Sequence, residues 1–135
     1  MLLLRLAIGS VMIAHGWAKI HRGISYHVQF VHSLGMPGWL AYASVAAELG
    51  GGLLVVIGLL TRLASLVILI DMLVTIFKVH LPNGLTGAGP GKAGFEFPMV
   101  LAVISLVLML LGAGPIAADW MFGGDRNERR RAALR

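Results

Sequence analysis

Four apolar runs divide the chain, at about Leu2 to Ile20, Trp39 to Leu60, Leu63 to Val79 and Phe97 to Gly114. Each can cross a bilayer at about 1.5 Å per residue. Backbone groups in lipid must pair within their own segment, so each run predicts a helix. The first run lacks a small-x-small cleavage site and is followed by charge, which reads as a retained span rather than a leader. After it comes "HRGISYHVQFVHSLGMPG". There Tyr26, Phe30 and Val31 fall on one helical side with Leu34 close by, while His27 and Gln29 lie elsewhere. That pattern predicts a short interfacial helix. Between the last two runs, "HLPNGLTGAGPGKAG" has no periodicity. Its glycines and prolines predict a loop, folded over the helix ends. The expected fold is all-α: an integral membrane four-helix bundle with a short interfacial helix between spans 1 and 2. It occupies residues 1–121, and a basic tail follows at 122–135.

Composition supports the membrane as solvent. Hydrophobic residues make up 58% of the 135 and charged residues only 13%, about half of what a soluble domain uses. The net charge of +5 is concentrated in the tail, at Arg126, Arg129, Arg130, Arg131 and Arg135. Such a tail reads as an anchor to anionic lipid rather than a nucleic-acid contact. An even number of spans puts both termini on one side, together with Arg5 and Arg62. Lys19, Arg22, Lys78 and Lys92 take the other side. The positive-inside rule then predicts a multi-pass protein of the cell (inner) membrane with both termini cytoplasmic. There is no cysteine, which removes disulfides, thiolate metal sites and intrinsic dithiol chemistry.

Ionisable residues inside the spans carry the candidate chemistry. Glu48 lies about nine residues into the second span and Asp71 about nine into the third, so both sit near the midplane at similar depth. His15 and Lys19 are four residues apart and share a helix face, as do Asp71, Thr75 and Lys78. Glu96 and His80 flank the outer loop. A carboxylate at mid-depth costs about 3 kcal/mol on insertion scales, and such residues face the bundle interior and pair. The expectation is a polar pocket in the outer half. Glu48 and Asp71 would form its floor, and His15, Lys19, Lys78 and the glycine-rich loop its rim. Glu48, His15 and Asp71 are the candidate catalytic residues; Lys19, Lys78, Glu96 and His80 are the candidate substrate-binding residues. No metal site is expected. Plainer readings stand beside these. Both lysines can snorkel to the interface, and Arg5 reads as an inner-interface anchor. Trp17, Trp39 and Trp120 read as belt aromatics, and Glu48–Lys as a structural pair. In "AAELGGG", Ala46 with Gly50 and Ala47 with Gly51 have the small-xxx-small spacing of close helix packing.

Three stretches resemble the DoxX family of membrane proteins. "LRLAIGSVMIAHGWAKI" is similar to that family's opening, through Arg5, Gly9, His15, Gly16 and Lys19. "AELGGGLLVVIGLLTRLAS" is similar to its second signature. "FEFPMVLAVISLVLMLLGAGPIAAD" resembles its closing one, through Glu96, Pro98, Gly112, Gly114, Pro115 and Asp119. The resemblance runs from about Leu2 to Asp119. It implies a four-helix integral membrane protein. It also implies a function among oxidoreductases linked to quinone stress, thiosulfate:quinone oxidoreduction or oxidative-stress complexes.

The leading expectation is therefore a subunit of a quinone-linked membrane redox or oxidative-stress system. His15 or Lys19 would donate to a quinone carbonyl, and Glu48 or Asp71 would relay the proton. A quinone is the suspected cofactor. Haem is the weaker choice, because His15 and His80 would have to face each other across a slot. The expected partners are the bilayer, a membrane or peripheral redox protein, or a second copy in a homo-oligomer. The alternatives are a non-enzymatic assembly or anchoring subunit, marked by a fully paired cluster with no cavity, and a small-solute carrier, marked by a water-filled path.

Overall fold

The computed structural model describes residues 1–114 and 116–119. The tail arginines, Pro115 and Trp120 lie outside the described residues. Helix α1 runs Leu2–His21 and α2, a short helix, Ile24–Ser33. Helices α3 (Trp39–Ile57), α4 (Thr61–Asn83) and α5 (Glu96–Leu111) follow. Helices α1, α3 and α4 are long and apolar enough to cross a membrane. Helix α5 is apolar but has 16 residues, about 24 Å against a hydrocarbon core of about 30 Å. It stops at Leu111, before the expected Gly114, because Gly112 turns out of the helix at φ 80°. Helix α3 likewise stops short of Leu60, at the left-handed Gly58.

Two stretches are wound as π-helix: Ala47–Gly51 within α3 and Ile76–His80 within α4. The loop after α4 contains strand structure. It closes on itself as a small antiparallel hairpin of β1 (Gly87–Gly89) and β2 (Lys92–Ala93).

The core is one apolar cluster contributed by α1, α3, α4 and α5, with Ile8, Met12, Val55, Ile68, Met72 and Leu108 at its centre. Helix α1 lies along α3, and α4 along α5. The α1–α3 crossing is made by glycines. A Cβ on Gly9 would lie 2.8 Å from the Gly52 carbonyl oxygen, and one on Gly52 would lie 2.9 Å from the Gly9 oxygen. Seven residues along α1, a Cβ on Gly16 would lie 2.7 Å from the Leu49 side chain and 3.1 Å from Glu48 Cβ. Of the expected small-residue rows, only Ala47 and Gly51 are buried; Ala46 and Gly50 point outward. The two rows lie one residue apart, about 100° around the helix, so one faces the bundle and the other faces outward. Gly52→Leu is therefore expected to destabilise the protein by about 2 kcal/mol or more. Gly50→Leu, with nothing within 4 Å of its Cβ position, leaves the melting temperature in detergent unchanged or raised. A drop for Gly50→Leu as large as for Gly52→Leu would contradict this packing.

Two polar clips close the end opposite the hairpin. Arg5, expected at the interface, is instead buried at 2% exposure. Its guanidinium donates to the carbonyls of Val55 (2.9 Å), Val56 (2.8 Å), Ala113 (3.2 Å) and Ile116. The α3 carbonyls belong to its last turn, where no helical partner exists. Asp119 forms the second clip. Its carboxylate accepts from the backbone N–H groups of Leu60 (2.6 Å) and Thr61 (2.8 Å), and its own N–H donates to the Gly58 carbonyl at 2.7 Å. Thus Asp119 caps the start of α4 from a distant part of the chain, and supports Leu60 in its left-handed conformation at φ 50°.

Candidate functional site

At the hairpin end the five helices surround a cavity of about 720 Å³. Its walls are mainly apolar, from Met12, Phe30, Leu40, Ile70, Phe77 and Leu101 among others. Val67, Ile70, Val74 and Phe77 on α4 are also outward-exposed, so the cavity opens sideways through the α4 wall. A ligand pocket of roughly 300–1,000 Å³ with a few convergent polar groups suits a small organic molecule.

Those polar groups come from four helices. Helix α1 brings His15 and Lys19 one turn apart; α3 brings Ser44 and Glu48 at the same spacing. The close approach at Gly16 lets the two pairs meet. Lys19 Nζ lies 2.8 Å from Glu48 Oε2 and 2.8 Å from Ser44 Oγ, to which it donates. Glu48, inside the π-helical stretch, is 4% exposed. The contact at Glu48 Oε2 is a buried ion pair. Helix α4 supplies Asp71, whose carboxyl lies beside Ser44 and whose Oδ2 is buried with no hydrogen-bond partner among the described residues. The His15 ring packs on Phe97 of α5, with centroids 5.7 Å apart.

Of the sequence candidates, His15, Lys19, Glu48 and Asp71 are thus brought together. Lys78 and His80 reach the cavity wall at its edge. Lys78 is exposed, so Lys19 is the cation that meets a carboxylate here. The His80 ring is tied to the hairpin, Nδ1 lying 2.9 Å from the Ala93 carbonyl oxygen. Glu96 is exposed in the first turn of α5 and lies outside the cavity lining. The rim expected from the glycine-rich loop is formed by α2 instead.

Helix α2 brings a residue that the sequence reading placed elsewhere. Its inward side carries Val28, Val31 and His27, while Tyr26 is 67% exposed. His27 lines the cavity, and its Nε2 is buried without a hydrogen-bond partner among the described residues. Burial, and then the Lys19 ammonium, hold the His27 imidazole below its usual pKa of 6.5, so it is neutral at pH 7. Among the described residues no group of three or more His, Asp or Glu is arranged to hold a metal ion.

A family model described as DoxX matches residues 1–81. The chain is 34% identical over 127 residues to the Bacillus subtilis protein named "Putative oxidoreductase CatD", covering 93% of this chain and 90% of that protein. It is 32% identical over 114 residues to the Escherichia coli inner membrane protein YqjF, covering 84% and 83%. With the E. coli inner membrane protein YphA the identity is 30% over 123 residues, covering 88% and 87%. No solved structure matches the chain significantly.

Proposed function

The chain belongs to the DoxX family of membrane proteins, and from that premise we propose that it is the quinone-binding subunit of a membrane redox or oxidative-stress system. One observation carries this reading. A laterally open, mainly apolar cavity of about 720 Å³ gathers Lys19, Glu48 and Asp71 at its polar end. Its size and lining fit a quinone ring with part of an isoprenoid tail, and Lys19 lies at its polar end as a donor to a ligand oxygen. When bound, a quinone supplies two-electron, two-proton carrier chemistry.

The residues act around that ligand. Lys19 spends two donors on Glu48 and Ser44 and has a third N–H for a ligand oxygen. Glu48 holds the ammonium in place. Asp71 takes or gives the proton, and Ser44 links it to Lys19. His15 and Phe97 form one wall, with Lys78 and His80 at the mouth. The electron partner is a membrane or peripheral redox protein.

The same proposal includes the finer topology, with α5 as a fourth crossing and both termini cytoplasmic. Arg5, Arg62 and the residues after α5 gather at one end of the bundle, away from Lys19 and Lys78, which supports a single positive side. A cysteine placed at position 128 should resist impermeant labelling of intact cells; efficient labelling would reverse the orientation.

The function is tested by mass spectrometry of lipids that co-purify in mild detergent. A prenylated quinone, in its oxidised or reduced form, is expected with the wild-type protein. Recovery of no quinone, together with no rise in melting temperature on adding one, would overturn the proposal.

A further inference from the structure

We propose that this cavity selects the reduced, hydroxyl-bearing form of its ligand, an aromatic diol that donates a hydrogen bond to Asp71 and uses His27 as a second acceptor. The inference rests on the quinone-binding reading above and specifies which form the site is built to hold.

Donors and acceptors at the polar end of the cavity do not balance. Lys19 is the main donor at the polar end, and two of its three N–H groups are already committed, to Ser44 Oγ and Glu48 Oε2. The acceptors are more numerous. Asp71 Oδ2 and His27 Nε2 are buried and have no partner among the described residues. Glu48 Oε2 is already held by the Lys19 ammonium at 2.8 Å and is not among them. A neutral imidazole keeps one bare ring nitrogen, which is Nε2 when Nδ1 carries the proton. Buried polar atoms are nearly always paired, and at membrane depth no bulk solvent can substitute.

The two ligand forms answer this imbalance differently. A quinone brings only carbonyl acceptors. It can use the free Lys19 N–H, but it leaves Asp71 and His27 bare. A diol brings an O–H at each ring oxygen, and those oxygens still accept from Lys19. A site built to bond a hydroxyl discriminates strongly against an analogue without it, because the analogue strands the site's own polar groups.

The probes are a short-chain benzoquinol kept reduced, its O,O-dimethyl ether and the parent quinone. Binding is measured by calorimetry and by melting temperature in detergent, with no turnover required. The quinol is expected to bind about tenfold or more tighter than either the ether or the quinone, the effect of about one stranded hydrogen-bonding group. Asp71→Asn, which turns one acceptor into a donor, is expected to narrow that ratio. His27→Leu, on the short α2 outside the spans, supplies the second variant if Asp71→Asn does not fold, and it too should narrow the ratio. Equal binding of quinol and ether, or tighter binding of the quinone, overturns this inference and leaves the quinone-binding function standing. Binding of none of the three overturns both.

Discussion

Arg5→Ala is expected to abolish the folded state in mild detergent. The guanidinium satisfies four carbonyls, from the last turn of α3 and from the segment after α5. Its positive charge lies at the C-terminal end of α3, where the helix dipole is negative, and this offsets the burial of a cation that forms no ion pair among the described residues. Alanine removes the donors and strands the acceptors. At about 1–3 kcal/mol for each stranded group, the loss is on the order of 5 kcal/mol or more, comparable with the whole stability of many proteins. Alanine also empties the space under Gly58, where any Cβ would collide with the guanidinium. Arg5→Lys keeps the charge but not the rigid fork of donors, so it should recover only part of the loss. Size-exclusion profiles after a temperature series measure both. An Arg5→Ala protein that melts within a few degrees of wild type would show the clip to be dispensable.

The second large effect is a rescue. Lys19→Met leaves the Glu48 carboxylate buried at 4% exposure with no cation and removes the donor to Ser44. Breaking a buried pair from one side typically costs about 3–5 kcal/mol; the partly exposed Lys19 puts this case near the lower end. Adding Glu48→Gln removes the stranded charge, so the double variant should be more stable than Lys19→Met alone. The four melting curves form a double-mutant cycle. A double variant no more stable than Lys19→Met would mean that the pair carries no coupling.

These two expectations differ in how far the sequence foreshadows them. The Lys19–Glu48 meeting is legible, because depth along each helix and shared faces follow from spacing alone. The role of Arg5 is not. A snorkelling arginine and a buried carbonyl clamp look alike in sequence, and the partners of Arg5 lie 50 to 111 residues away. His27 was misplaced because the phase of α2 was set by its bulky aromatics. Tyr26 is large and apolar, but on an interfacial helix the outward side also meets an apolar medium, so size does not mark the core. The small residues of α3 are legible only in part, because the rows Ala46–Gly50 and Ala47–Gly51 have the same spacing in sequence and only the second is buried. Proximity to the loop suggests Glu96 for the pocket, but in the first turn of α5 it is exposed and outside the cavity lining.

The Arg5 and Asp119 clips also set an order of assembly. During synthesis Arg5 enters the membrane environment first, while Ala113, Ile116 and Asp119 emerge only after α5. Until then the guanidinium lacks half of its acceptors, and the start of α4 lacks its cap. The nascent helices therefore insert as a loosely joined set, and the bundle locks only when its last described segment arrives. Ribosome-bound chains halted before residue 113 should be far more sensitive to protease than chains released at full length. In this protein the closing signature acts as a latch on the opening one, so the fold is complete only once that signature has been made.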